Sequence, residues 1–138
     1  MFQTHEGEFT CPLTPPARAS NTSTYGVSDP DRTATLITPL CGWRERWRAP
    51  SALGGWTIHL GSDSEYIVLC QADDPLPSPF AKGLALNHIA LVVDDLDAAE
   101  RILIDARLEP LSHGTEEPGR RFYVFDWDGI EWELVSYA

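Results

Sequence analysis

The sequence predicts an α+β fold built from two βαβββ modules. Two observations predict it: the order of elements is the same in both halves, and Val27, Asp29 and Asp31 stand at one constant spacing before Val93, Asp95 and Asp97. A third, composition, says that the chain packs. Its 138 residues are 43% hydrophobic and 22% charged, with five Trp, four Tyr and five Phe, the make-up of a globular domain.

Residues 1–20 hold Pro12, Pro15 and Pro16 with no sustained period and read as an irregular arm. The first module, 21–72, opens with a short strand that runs into Ser28, Asp29 and Pro30. Pro30 suits a first helical turn, Ser28 or Asp29 can cap it, and Pro39 is expected to end or kink the helix near Thr38. WRERW alternates, which predicts a strand with Trp43, Glu45 and Trp47 on one face and the arginines on the other. WTIHLG and EYIVLC, joined by Gly61-Ser62-Asp63-Ser64, read as a hairpin. The stretch 73–83, with three prolines in QADDPLPSPFAKG, reads as a linker.

The second module, 84–138, begins with ALNHIALVV, a near-continuous apolar run that predicts a strand buried on both faces. Leu96, Ala99, Ile102, Leu103 and Ala106 recur at helical spacing behind an Asp94 or Asp95 cap. LEPLSHG, RRFYVFDWDG and IEWELVSY supply three more strands, with Asp128-Gly129 as the last turn.

Ten Lys and Arg against 21 Asp and Glu give a net charge of −11, which repels a nucleic-acid backbone. No run approaches the roughly 20 apolar residues of a membrane helix, and the N-terminus has neither the basic flank nor the apolar run of a secretory signal. Cys11, Cys41 and Cys70 form no metal-like spacing and are expected as buried thiols in a reduced, cytoplasmic setting.

Alternation places His88, Ala90 and Val92 on one face of their strand, and Glu131, Glu133 and Val135 on one face of the last. If these strands pair, an imidazole meets a carboxylate, both good donors to a divalent metal, and an open metal site can polarise a substrate oxygen. A lone histidine at the start of an apolar strand also serves as a hydrogen-bonded core residue, and spacing leaves the two open. His59 is a further candidate ligand if its strand turns it inward, while His5 and His113 are expected in solvent. Tyr66, Tyr123, Trp56 and Phe125 are candidates to line a small-molecule pocket. Trp43, Trp47, Trp127 and Trp132 are expected to pack helix on sheet or module on module. Of Arg120 and Arg121, only one falls on the inner face, where it can bind a carboxylate or phosphate.

The stretches LNHIALVVDDLDAAE and GRRFYVFDWDGIEWELVSY, with VSDPDRTA and GGWTIHLG, resemble the vicinal oxygen chelate superfamily of glyoxalases, bleomycin-resistance proteins and extradiol dioxygenases. The resemblance implies that the two modules pair into a curved sheet cup with helices on the outer face. It implies that His88 and Glu133 stand where the family's second-module metal ligands stand, as ligands to zinc, iron, manganese or nickel and as catalytic groups. Thr22 replaces the first-module histidine and Val68 the glyoxalase-type carboxylate, so the ligand set is incomplete and these two positions become ligand contacts. Two functions follow from the resemblance. One is a divalent-metal-dependent lyase, isomerase or dioxygenase acting on an oxygenated substrate, and the other a metal-free small-molecule binder of the bleomycin-resistance kind. A compact two-module sheet with an exposed edge or apolar face is expected to form a homodimer.

Overall fold

The computed structural model describes residues 23–51, 54–72, 83 and 85–138. The arm, Thr22, His5, Cys11 and nearly all of the 73–83 linker lie outside the described residues. The elements run β1 (Ser23–Val27), α1 (Pro30–Cys41), β2 (Arg44–Pro50), β3 (Trp56–Gly61), β4 (Tyr66–Gln71), β5 (Ile89–Val92), α2 (Leu96–Asp105), β6 (Leu111–Gly114), β7 (Arg120–Phe125) and β8 (Glu131–Ser136). They form two four-stranded mixed sheets, ordered β1-β4-β3-β2 and β5-β8-β7-β6. In each, the first strand runs parallel to the last and the other pairs are antiparallel. Among the described residues no helix is long and apolar enough to cross a membrane.

Both helices start for the same local reason. Asp29 and Asp95 hold extended backbone, and their side chains accept from the N–H groups of Arg32 and Ala98, satisfying donors that the first turn leaves over. Helix α1 does not stop near Thr38. It continues through Pro39 to Cys41 and ends at Gly42, whose φ of 68° is the left-handed cap that glycine adopts without strain. Pro39 is tolerated because only the last turn loses its hydrogen bond.

The register assigns faces. Ile58, Leu60, Ile67 and Leu69 of the first sheet, and Leu91, Phe122, Val124, Trp132 and Leu134 of the second, join Leu36, Ile37 and Leu40 of α1 and Leu96, Ala99 and Leu103 of α2 in one buried cluster. The opposite faces carry Tyr66, Val68, His59 and Trp47 in the first sheet and His88, Ala90, Glu133, Tyr123 and Arg121 in the second. Two strand expectations are corrected here. Strand β5 is buried on one face only: Leu91 is in the core, but Ala90 and Val92 are exposed. The apolar run therefore marks an open face rather than a covered one. In β2 the register slips between Glu45 and Trp47, which pair with the adjacent residues Leu60 and His59. That β-bulge breaks the period of two, so Glu45 and Trp47 part company.

The two modules are joined by a knot of buried carboxylates at the β7–β8 turn. Asp126 accepts from the backbone N–H groups of Asp128 and Ile130 and, through its other oxygen, from Trp132 Nε1 at 2.9 Å. Asp128 Oδ1 reaches across to accept from Ser28 N–H of the first module at 3.0 Å. Trp132 lies edge-on to Tyr25 at 5.8 Å, and the Arg32 guanidinium lies 4.4 Å over the Trp127 ring. Trp127 and Trp132 thus pack module on module, as the sequence leads one to expect.

Burial raises the Asp126 carboxyl above its usual range against the pull of its three N–H donors. A raised folded value means that the stabilising contribution of the protonated form is fully present below an unfolded value of about 3.9 and is lost as pH rises through the folded one. Asp126→Asn abolishes this titration and turns an amide N–H toward Trp132 or the backbone donors. The variant is expected to lose about 1–3 kcal/mol and to show a smaller drop in denaturation midpoint between pH 4 and pH 6.5 than the parent, measured by urea melts.

Candidate functional site

The structure brings His88 and Glu133 together. Parallel pairing of β5 with β8 sets Ala90 beside Glu133, and His88, two residues earlier on the same face, reaches the carboxylate diagonally. His88 Nε2 lies 3.0 Å from Glu133 Oε2, with the two side chains 33% and 15% exposed. Three neighbours fix the pair. Tyr123, directly across from Glu133 on β7, sets its ring perpendicular to the imidazole at 5.4 Å. Arg121 Nε stands 4.0 Å from Glu133 Oε1, while its Nη1 donates to the carbonyls of Glu116 and Gly119. The guanidinium is thereby tied to the 116–119 loop as a fixed positive charge behind the carboxylate. Arg120, on the other face, pairs with Asp97.

The third neighbour, Asn87, was not singled out by the sequence. Its Oδ1 lies 3.0 Å from His88 Nδ1. Which atom donates there depends on the imidazole tautomer and on which way the amide is turned. As the Nε2–H tautomer the ring donates to Glu133, and as the Nδ1–H tautomer it offers an Nε2 lone pair beside a carboxylate oxygen, two donors suited to a divalent metal. A polar residue just before a histidine is the only sequence signal that could have flagged Asn87, because partners of this kind commonly hold a metal-binding imidazole in its tautomer.

The donor set fits a divalent ion with two protein ligands. Among the described residues no group of three or more His, Cys, Asp or Glu side chains could hold a metal. Val68, apolar and nearly buried, pairs with His59 and with Thr24 on the face where the family's further carboxylate is expected. Thr22 lies outside the described residues. His59 shares that face but is packed among rings, stacked on Tyr66 at 5.3 Å and met edge-on by Trp47 at 4.9 Å. Trp47 is 57% exposed, so it does not pack helix on sheet as expected. The bulge aims it at the open face instead. Trp56 is corrected as a companion of these residues. One position before Thr57, it falls on the face of Ile58 and Leu60, and its N–H donates to Gln71 Oε1. Phe125 shares the face of Glu133. His113 is exposed on β6, where Nε2 meets Glu100 Oε1 at 2.5 Å. Cys41 is pushed up to about 11, chiefly by burial, which leaves it a poor nucleophile. The Cys70 thiol meets Thr57 Oγ1.

Residues 23–125 match the family model described as the glyoxalase/bleomycin resistance protein/dioxygenase superfamily, and the chain belongs to that superfamily. No curated protein sequence matches it. Among solved structures, a glyoxylase/bleomycin resistance protein/dioxygenase domain from Frankia sp. EAN1pec is similar at TM-score 0.69 and 22% identity, covering 88% of this chain and 93% of that one. The fosfomycin resistance protein FosX from Listeria monocytogenes, in complex with Mn(II) and sulfate, is similar at TM-score 0.66 and 16% identity, covering 89% and 92%. TioX from Micromonospora sp. ML1 follows at 0.61 and 20%, covering 88% and 100%. At these identities the likeness is one of fold.

If Asn87 orients the imidazole for a metal, Asn87→Ala lowers divalent-ion affinity about 10–100-fold without unfolding the protein. Calorimetric titration with Mn(II) or Zn(II), beside a circular dichroism melt, measures both effects.

Proposed function

We propose that this chain takes an oxygenated small molecule on the face shared by β5, β8 and β7, where His88 and Glu133 would hold a divalent ion. The observation that supports this reading is an imidazole nitrogen and a carboxylate oxygen held 3.0 Å apart on paired strands, two donor types that suit a divalent ion. Zinc, iron, manganese or nickel suits one imidazole nitrogen and one carboxylate oxygen. Such an ion supplies Lewis-acid polarisation of a bound oxygen, the chemistry common to a lyase, an isomerase and a dioxygenase. The chain's own groups have separate tasks. Asn87 orients His88, Arg121 keeps a positive charge behind Glu133, and Tyr123 walls the imidazole. The solved FosX complex with Mn(II) is the relative that supports a metal here.

A second reading, a metal-free binding or sequestering protein, is favoured by Val68, apolar where the family's further carboxylate is expected, with His88 and Glu133 then contacting ligand directly as a hydrogen-bonded pair. Elemental analysis of protein expressed in metal-supplemented medium separates the two. About one equivalent of metal per chain, absent in His88→Ala, is expected. A metal-free parent that also shows no binding on titration overturns the metal reading. With metal bound at 100 times its dissociation constant, stabilisation is about 2.7 kcal/mol, so EDTA lowers the melting temperature of the parent and leaves that of His88→Ala unchanged.

The same proposal includes a homodimer and a reducing, cytoplasmic setting. Leu86, Val92 and Tyr137 are large apolar side chains exposed at 48%, 59% and 59%, and a second copy would cover them. Cys41 and Cys70 are free thiols. Light scattering at micromolar concentration is expected to give twice the chain mass, and a monomer mass rejects the dimer.

A further inference from the structure

We propose that the open face of the first sheet carries a binding corner for a planar aromatic anion, built by Trp47, His59, Tyr66 and Arg46. It goes beyond the metal reading and uses none of that site's atoms. The corner originates in the bulge of β2. Glu45 pairs with Leu60 and Trp47 with the adjacent His59, so Arg46 is the extra residue. Strict alternation would send Arg46 to the helix side when Trp47 faces His59. With the bulge, both reach the open face, a re-aiming that bulges on edge strands commonly produce.

The rings are arranged as surfaces rather than as a core. His59 and Tyr66 stack with planes 19° apart and centroids 5.3 Å apart, and Trp47 stands at 86° to His59, 4.9 Å away. The Arg46 guanidinium lies 4.5 Å over the Tyr66 ring. Two ring planes at a right angle, one of them the 57% exposed Trp47, offer a flat molecule a face to stack on and an edge to meet. Gly61, the partner of Tyr66, keeps the corner tight. A Cβ there would lie 2.4 Å from that of Tyr66 and 2.1 Å from the Glu65 carbonyl.

Charge selects the occupant. The chain carries a net −11 and repels anions at large, so an anion is retained only where a cation is spared for it. Along RERWR, Arg44 is paired with Asp63 at 2.6 Å, and Arg48 with Glu45 and Asp31 at 2.7 Å each. Arg46, whose charge also reaches Asp63, makes no such ion pair and lays its guanidinium on the Tyr66 ring beside the exposed tryptophan, where a flat aromatic ring that bears a carboxylate can be met by both stacking and charge.

The test is calorimetric titration of the full chain with three probes: 2-naphthoate, its neutral isostere 2-naphthamide and the saturated decahydro-2-naphthoate. Naphthoate is expected to bind at least about tenfold more tightly than either. Trp47→Leu is expected to weaken naphthoate about tenfold. Arg46→Gln is expected to do the same for naphthoate and to leave naphthamide unchanged. Trp56→Leu, which removes an exposed tryptophan on the other face, should leave all three unaltered. Melting curves confirm that each variant folds. EDTA is expected to have no effect, so the result stands whether or not His88 and Glu133 hold a metal. No naphthoate binding at millimolar concentration, equal affinity for the saturated acid, or undiminished binding by Trp47→Leu overturns the proposal. A Trp47→Leu change in dimer mass without a change in affinity also overturns it and assigns the corner to a subunit contact.

Discussion

The buried carboxylates at the β7–β8 turn are the constraint on which the rest of this molecule depends. Asp126 ties the turn to itself through two backbone N–H groups and to the core through Trp132. Asp128 ties the turn to the end of β1. Burying a carboxylate is costly unless donors meet it, and here every donor is an N–H group placed by the hairpin or by the other module. Three of its hydrogen bonds lie within the second module, and the one from Ser28 to Asp128 joins it to the first. It also sets the start of β8, and Trp132 and Glu133 are consecutive residues of that strand with opposite directions. The same pinned backbone therefore sends an indole into the core and a carboxylate to the open face.

From that strand outward, the candidate site follows by short steps. Parallel pairing with β5 lays His88 diagonally across from Glu133, and antiparallel pairing with β7 brings Tyr123 and Arg121 to its other side. None of these contacts needs a long flexible loop, which is how strand-borne sites hold their geometry to fractions of an ångström. Asn87 meets the other ring nitrogen at 3.0 Å and so fixes the plane of the imidazole, with Nε2 turned to Glu133 Oε2.

The two sheets have the same plan, yet their open faces have diverged. The second keeps an imidazole–carboxylate pair backed by a fixed guanidinium. The first has Val68 beside His59 and surrounds that histidine with Tyr66 and Trp47. Repeats of one backbone thus provide one open face with an imidazole–carboxylate pair and another lined by aromatic rings.

The sequence by itself determined the element order, the repeat, the position of both helix starts and the alternation that sets His88 with Ala90 and Val92 and Glu133 with Glu131 and Val135. Each of these depends on local propensity or on the strict alternation of side chains along a strand. It also carried the resemblance that implies the superfamily. Tertiary structure decided the rest. Strand β5 reads as doubly buried because Ala90 and Val92 are apolar, but burial depends on what covers a face, and among the described residues nothing covers them. Glu45 and Trp47 read as neighbours on one face because alternation is exact only without a bulge, and a bulge is a property of two paired strands. Trp56 read as a pocket residue from its chemistry alone, whereas the registration of β3 against β4 turned it to the helix side. Asn87 and the Asp126 knot were invisible for the same reason: their meaning lies in hydrogen-bond distances, which the order of residues does not contain.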